Sequence, residues 1–121
     1  MLRELERERR ILEKTYHDHM DVFRNRVAED PDTGESRLEE TLVYGNRKCA
    51  LVKSVEAPER GVAADTVDET HVLFADPCIL LQNNDRVVVR AESGQVYEGR
   101  SGMTYVARNH GETGFRIEKM A

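Results

Sequence analysis

Hydrophobic and polar positions follow two different periods along the chain. Over residues 2–15, apolar side chains recur at Leu2, Leu5 and Leu12 with charged residues between them, which is typical of a helix with a narrow apolar stripe. From residue 16 onward, apolar and polar positions alternate with a period of about two, which is typical of β-strands. The pattern therefore predicts one N-terminal helix followed by a β-domain.

Short β-like runs separated by turn residues cover the rest of the chain. Residues 86–90 (RVVVR) form the strongest of these runs, and Ser93-Gly94 predicts a hairpin turn after it. Residues 29–35 (EDPDTGE) predict a second turn. Further runs are found at 19–27, 42–44, 48–55, 70–74, 78–81, 95–100, 103–107 and 115–118. About seven short strands at roughly 8–12-residue spacing predict a mainly β fold, a small antiparallel barrel or sandwich.

The chain length fits one domain. We predict a single domain over residues 1–121, in which residues 1–15 are the helical part and residues 16–121 the β-barrel. Residues 56–67 (EAPERGVAADTV) contain few large apolar side chains and predict a long flexible loop. So many short strands must hide their edges, either by closure of the sheet or by pairing with a neighbouring subunit.

Composition narrows the classes of function. The formal net charge of -5 argues against a generic binder of nucleic acid or of anionic membranes, which carries a basic face. No apolar run approaches the roughly 18 residues of a membrane span, and the charged N-terminus does not resemble a signal peptide. Cys49 and Cys78 are predicted to be reduced, buried and inert.

Two groups of residues are weak candidates for chemistry. His17 and His19 could reach one metal ion, but a closed site needs four ligands, so we favour two surface side chains. Cys49 could act as a nucleophile with His71 or His110 as its base, but its strand-like surroundings favour a small buried hydrophobe. We therefore predict no catalytic residue, no metal site and no cofactor. Arginines of the C-terminal strands are interpreted as exposed partners in salt bridges.

Six short segments carry a resemblance through their order and spacing. They are 12–16 (LEKTY), 18–24 (DHMDVFR), 33–35 (TGE), 44–51 (YGNRKCAL), 74–77 (FADP) and 84–89 (NDRVVV). Together they span nearly the whole chain and resemble a family of small phage and prophage proteins of Gram-positive bacteria, the minor capsid or head–tail connector proteins. The long charged N-terminal helix and the acidic middle loop depart from the family's pattern.

The resemblance implies a structural protein rather than an enzyme. It implies a small β-barrel that forms a homo-oligomeric ring between the portal and the tail, located in the virion at the head–tail interface and in the bacterial host cytoplasm before assembly. The implied partners are a portal or adaptor protein, a tail or tail-completion protein, and packaged DNA that passes through the lumen without sequence-specific binding, with no membrane contact. An acidic chain suits such a conduit, since cationic contacts would slow the DNA, and lumen-facing residues are expected to be mainly Asp and Glu.

The candidate contact residues come from the helix and from the long loop. A helix so short and so polar is marginal by itself in water, so its stripe needs a partner surface. The loop is expected to become ordered on assembly. We therefore predict contacts with neighbouring subunits or partners at Leu2, Leu5, Leu12, Arg60, Val62 and Asp65.

Two other functions remain open from the sequence. A non-viral β-barrel binding module would use an apolar groove for a peptide or an oligosaccharide, and fold class alone does not exclude it. A small hydrolase would use Cys49 or the pair His17 and His19, and it is the least favoured.

Overall fold

One helix and six antiparallel strands make up the part of the chain that the computed structural model describes, residues 2–53 and 71–121. The strands close into a barrel in the order β1-β2-β3-β6-β5-β4. The elements are α1 (Leu2–Glu13), β1 (Asp18–Glu29), β2 (Ser36–Lys53), β3 (His71–Ala75), β4 (Arg86–Arg90), β5 (Val96–Val106) and β6 (Gly111–Met120). The predicted mainly β fold with one N-terminal helix is confirmed.

The structure has fewer strands than predicted because two pairs of predicted runs each form one continuous strand. Residues 42–44 and the described part of 48–55 both belong to β2, and 95–100 and 103–107 both belong to β5. β2 passes Gly45-Asn46 without a break because Asn46, at φ 49, is held by its neighbours. Its N–H donates to Asp21 Oδ1 at 2.7 Å, and its Oδ1 accepts from Arg90 at 3.0 Å. The break predicted between the runs 42–44 and 48–55 is thus an irregularity within one paired strand.

The core follows the alternation of the strands. In β4, Val87 and Val89 point inward while Arg86, Val88 and Arg90 are partly exposed on the outer face. The buried cluster also takes side chains from β1, β2, β3 and β6; its members are Met20, Val22, Cys49, Leu73, Ala75, Ile79, Leu81, Val87, Val89 and Phe115. Burial of these side chains supplies the main favourable free energy of folding.

The segment between β3 and β4 packs against the barrel core rather than forming a strand. The prediction of a β-strand at residues 78–81 is therefore wrong. Ile79 and Leu81 are nevertheless buried, so the apolar residues of this run contribute to the core. The N–H of Leu81 donates to Thr104 Oγ1 at 2.8 Å, which ties the segment to β5. A short apolar run is compatible with either role, and its hydrogen-bond partners decide between them.

The predicted turns lie where the sequence places them. Ala91 and Gln95 bracket the β4–β5 hairpin, and Gly94 takes φ +96, which glycine adopts without strain.

The helix ends at Glu13, two residues earlier than predicted, and Thr15 Oγ1 then donates to the Leu12 carbonyl at 2.6 Å. No helix in the described parts of the chain is both long and apolar enough to cross a bilayer.

The backbone contact at Gly99 gives a test of the β5–β6 register. A Cβ at Gly99 would lie 1.9 Å from the Arg116 carbonyl oxygen, whereas one at Gly45 would meet only the flexible Leu42 side chain at 3.2 Å. We expect Gly99→Ala to lower the free energy of unfolding by about 2–3 kcal/mol, because β6 must shift away from β5. The matched change Gly45→Ala should alter it by less than about 0.5 kcal/mol. Urea denaturation measures both, and equal losses would contradict the close β5–β6 approach.

Candidate functional site

A two-stranded arm extends beyond the barrel wall. β4 pairs with β1 only as far as Phe23, and β3 pairs with β2 only from Cys49 to Lys53. Beyond these points, β1 and β2 pair with each other as far as Glu29 and Ser36, and no other described strand lies beside them. We call residues 23–42 the arm. The barrel thus removes its own edges by closure but leaves the edges of the arm open.

The turn at the arm's tip is set by local chemistry. The N–H of Gly34 donates to the Asp30 carbonyl at 2.7 Å, and the Asp30 N–H donates to the Glu35 carbonyl at 2.8 Å. Gly34 takes φ +75 and the Asp30 carboxylate accepts the N–H of Asp32, so both residue types are required by the turn. The turn predicted over residues 29–35 is confirmed.

The arm has one apolar face. Phe23 lies opposite Leu42, and Val27 lies opposite Leu38, with Asn25 and Glu40 between the two pairs. Residues directly opposite each other in an antiparallel pair share a face, as do alternate residues along a strand. Val27 and Leu38 are 68% and 69% exposed, and Leu42 is 52% exposed. Large apolar side chains grouped on one face are typical of a surface that another protein covers.

The opposite face of the arm is charged and is clamped to the barrel at its base. Arg24 donates from Nε and Nη2 to the two carboxylate oxygens of Asp85, at 3.0 and 2.8 Å. Asp85 is only 3% exposed and also accepts the N–H of Gln82 at 2.8 Å. This bidentate pair joins the first residue past the barrel to the segment that packs against the core.

Arg86 fixes the base of the arm from the apolar side. Its guanidinium carbon lies 4.3 Å from the centre of the Phe23 ring, and its nitrogens donate to both oxygens of Glu40 at 2.9 and 2.7 Å. A third bond reaches Glu98 on β5 at 3.2 Å. The hydrogen bonds from Arg86 lower the pKa of Glu40 below its ordinary value, so Glu40 stays ionised and keeps this contact. The arm is therefore a positioned element, because both faces are tied to the barrel.

Helix α1 is held on the outside of the barrel by polar contacts. Arg9 donates to both oxygens of Asp76, at 2.8 to 3.2 Å, and Asn109 donates to Glu8 at 3.3 Å. Burial by itself would raise the pKa of Asp76, but the Cys78 N–H and the Arg9 guanidinium outweigh burial and lower it. Tyr16, just after the helix, is buried.

The predicted contact residues fall in two groups. Leu5 and Leu12 are half-buried on the same side of α1 as Glu8 and Arg9, so their apolar stripe is turned largely toward the chain's own fold. The side chain of Leu2 and the residues Arg60, Val62 and Asp65 lie outside the described parts of the chain, as does the loop 56–67. Contacts at these positions stay predictions. The sequence analysis did not identify the exposed face of the arm, because the alternation on either side of the 29–35 turn predicts strands but not whether their apolar face is covered.

The cysteines differ from each other. Cys49 is fully buried, and burial raises the pKa of its thiol to about 12, so it holds its proton at neutral pH and packs as a small hydrophobe. Cys78 was predicted to be buried, but it is exposed beside Arg9, with Nη2 3.3 Å from its sulfur. The prediction is wrong because residues 78–81 alternate, and Cys78 faces away from the core.

His17 and His19 lie at the start of β1, one residue before the strand and one residue inside it. His17 lies before β1 and is 3.6 Å from a carboxylate oxygen of Glu92, with both side chains well exposed. Among the residues that the structure describes, no three His, Cys, Asp or Glu side chains are grouped as metal ligands.

A cleft between α1 and the barrel is mostly charged. Its volume is about 400 Å³, and its lining residues are Arg9, Glu13, Tyr44, Arg47, Lys48, Asp76, Cys78 and Ile79. Five of these eight carry charge, which is not the apolar groove that a peptide-binding or oligosaccharide-binding module would use. The arm is therefore the stronger candidate site.

Comparison with protein-family models, with curated proteins and with solved structures finds no match to this chain. The candidate site therefore rests on its geometry.

The clamp at the arm's base gives a stability prediction. Arg24→Met leaves the buried Asp85 carboxylate without its cation, and we expect the free energy of unfolding to fall by about 2–4 kcal/mol. Arg37→Met is the matched control, because Arg37 is 73% exposed and its ion-pair partner among the described residues is the exposed Glu39, so its loss should stay below about 0.5 kcal/mol. Chemical denaturation of both variants makes the comparison. Equal effects would mean that the arm is not held by this pair.

The clamp on the helix gives a prediction for local stability. Arg9→Met should accelerate amide hydrogen exchange in α1 by several-fold to about tenfold and leave exchange in the barrel unchanged. Arg10→Met, at an exposed neighbouring position, is the control. Because the fold lowers the pKa of Asp76, the clamp contributes fully above the ordinary carboxyl pKa of about 4 and is lost as the pH falls through the lowered value. If neither Arg9→Met nor a fall in pH alters hydrogen exchange in α1, the clamp is excluded.

Proposed function

We propose that this chain is a structural subunit of a phage or prophage particle, a head–tail connector protein that forms a ring between the portal and the tail. The observation that carries the proposal is the arm, whose apolar side chains Val27, Leu38 and Leu42 are half to two-thirds exposed in the single chain. A surface of this kind is a liability in a free monomer and is explained if another protein covers it.

The shape of the chain supports an assembly role. An isolated two-stranded hairpin is marginal in water, yet this one is tied to the barrel by the Arg24–Asp85 and Arg86–Glu40 pairs. A projecting element with a fixed orientation can present the same contact in every subunit of a ring. The ordered resemblance of residues 12–16, 18–24, 44–51 and 84–89 to connector proteins supplies the particular assembly.

A weak subunit contact is compatible with this role. Many copies arranged on one template raise the effective concentration of each contact, so a chain that is monomeric in solution can still form a ring on a portal. The oligomeric state of the purified chain by itself is therefore a poor test, and the particle is the better one.

The test is quantitative mass spectrometry of purified phage particles after induction of the source strain. We expect the chain at a low, ring-like copy number relative to the major capsid protein. The double variant Val27→Asp/Leu38→Asp should be lost from particles, because two carboxylates replace the apolar contact. Met120→Asp changes an apolar residue outside the arm that is also more than half exposed, and it should be retained.

Two results would contradict the proposal. Tailed particles that lack the wild-type chain would exclude a connector role. Normal incorporation of the arm variant would exclude the arm as the contact. In the first case a binding module remains, and the free chain would be screened against peptides and oligosaccharides.

A further inference from the structure

A second candidate contact surface lies along helix α1. Arg3, Arg7 and Arg10 of the helix and Lys14, the residue directly after it, follow one another at spacings of four, three and four residues, so they form one stripe. All four are exposed, and none forms an ion pair with any residue in the described parts of the chain. The stripe lies opposite the side that carries Leu5, Arg9 and Leu12.

This basic stripe has an apolar neighbour. Ile11 is 56% exposed and lies four residues after Arg7, so it lies beside the stripe. At a rise of about 1.5 Å per residue, the stripe from Arg3 to Lys14 is about 16 Å long. Glu4 and Glu6 border the same helix surface, but the strip keeps a net positive charge in a chain whose net charge is -5.

The tip of the arm carries the opposite charge. Glu29, Asp30, Asp32 and Glu35 lie within seven residues that contain no Lys or Arg. They form no ion pair among the described residues. The exposed pair Val27 and Leu38 follows directly behind this acidic tip, so the arm presents four carboxylates and then an apolar pair.

The two surfaces match each other in charge and in apolar content. Within one chain, the described arm and helix share no hydrogen bond or ion pair. A second copy of the chain can supply the complementary surface of each.

We propose that the arm of one subunit docks onto helix α1 of a second copy of this chain, with Glu29, Asp32 and Glu35 facing the Arg3, Arg7 and Arg10 stripe and Leu38 facing Ile11. The contact is heterologous, so each subunit offers one arm and one helix, and repetition closes a ring or extends a filament. This inference rests on the proposed function, in which the arm–helix contact joins neighbouring subunits of the ring.

Paired single-cysteine chains test the geometry directly. In a Cys78→Ser background, which leaves only buried Cys49, one chain carries Ile11→Cys and a second, differently tagged chain carries Leu38→Cys. After treatment with a short bismaleimide, the mixed product should exceed either homotypic product by at least ~10-fold, because a heterologous contact brings residue 38 against residue 11. Circular dichroism and the melting temperature of each variant confirm that it is folded.

Charge reversal tests the electrostatic part. Glu29→Lys/Asp32→Lys/Glu35→Lys in the Leu38→Cys chain, or Arg3→Glu/Arg7→Glu/Arg10→Glu in the Ile11→Cys chain, should each abolish the mixed product. Combining the two reversed chains should restore it. The product should also fall between about 0.1 M and about 1 M salt, because the Debye length shortens from about 10 to about 3 Å.

Three outcomes would overturn the proposal. Dominant cross-linking of Leu38→Cys to itself would mean that arms pair with each other across a two-fold axis. Absence of mixed product up to the solubility limit at low salt would mean that the surfaces do not meet. Failure of the two reversed chains to recover cross-linking would mean that their charges are not in contact. The particle measurement is independent, so a chain found in particles without the cross-link leaves the connector function standing and removes only this contact.

Discussion

β1 pairs with β2 on one side and with β4 on the other, and this double pairing closes the barrel. Every other feature depends on it. Met20 and Val22 are fully buried because strands flank them on both sides and the closed sheet surrounds their inner face. β1 continues beyond Phe23, the last of its residues that pairs with β4. The part of β1 within the barrel therefore fixes the register of the part that extends into the arm.

Arginine–carboxylate pairs attach the arm and helix α1 to the barrel. Arg24 with Asp85, Arg86 with Glu40 and Arg9 with Asp76 each make two or more hydrogen bonds. A planar guanidinium binds a carboxylate bidentately in a small number of fixed orientations, so such a pair restricts direction as well as distance. This chain has few aromatic residues and a small core, and these polar pairs orient the arm and the helix that the core does not reach.

The result is a molecule whose chemistry lies at its periphery. The thiol of Cys49 is enclosed and protonated, whereas the arm and the outer stripe of α1 present apolar and charged groups to whatever lies next to them. The outer stripe of α1 is basic and the tip of the arm is acidic, so the contact that we propose between copies pairs opposite charges.

Local sequence determined the parts of the fold that depend on neighbours in the chain. The alternation of RVVVR, the glycine of the β4–β5 hairpin and the Asp-Pro-Asp-Thr-Gly turn all predict what they form, because dihedral preferences and a period of two are local properties. Tertiary structure decided the rest. Asn46 stays within a strand because Asp21 and Arg90 bind it, and residues 78–81 pack against the core because β5 binds their backbone. Val27 and Leu38 follow the alternation of a buried strand face, yet they are exposed because β3 and β4 end before they reach the arm. The lengths of β3 and β4 are set by residues distant in the sequence, so no pattern within residues 23–42 predicts this exposure.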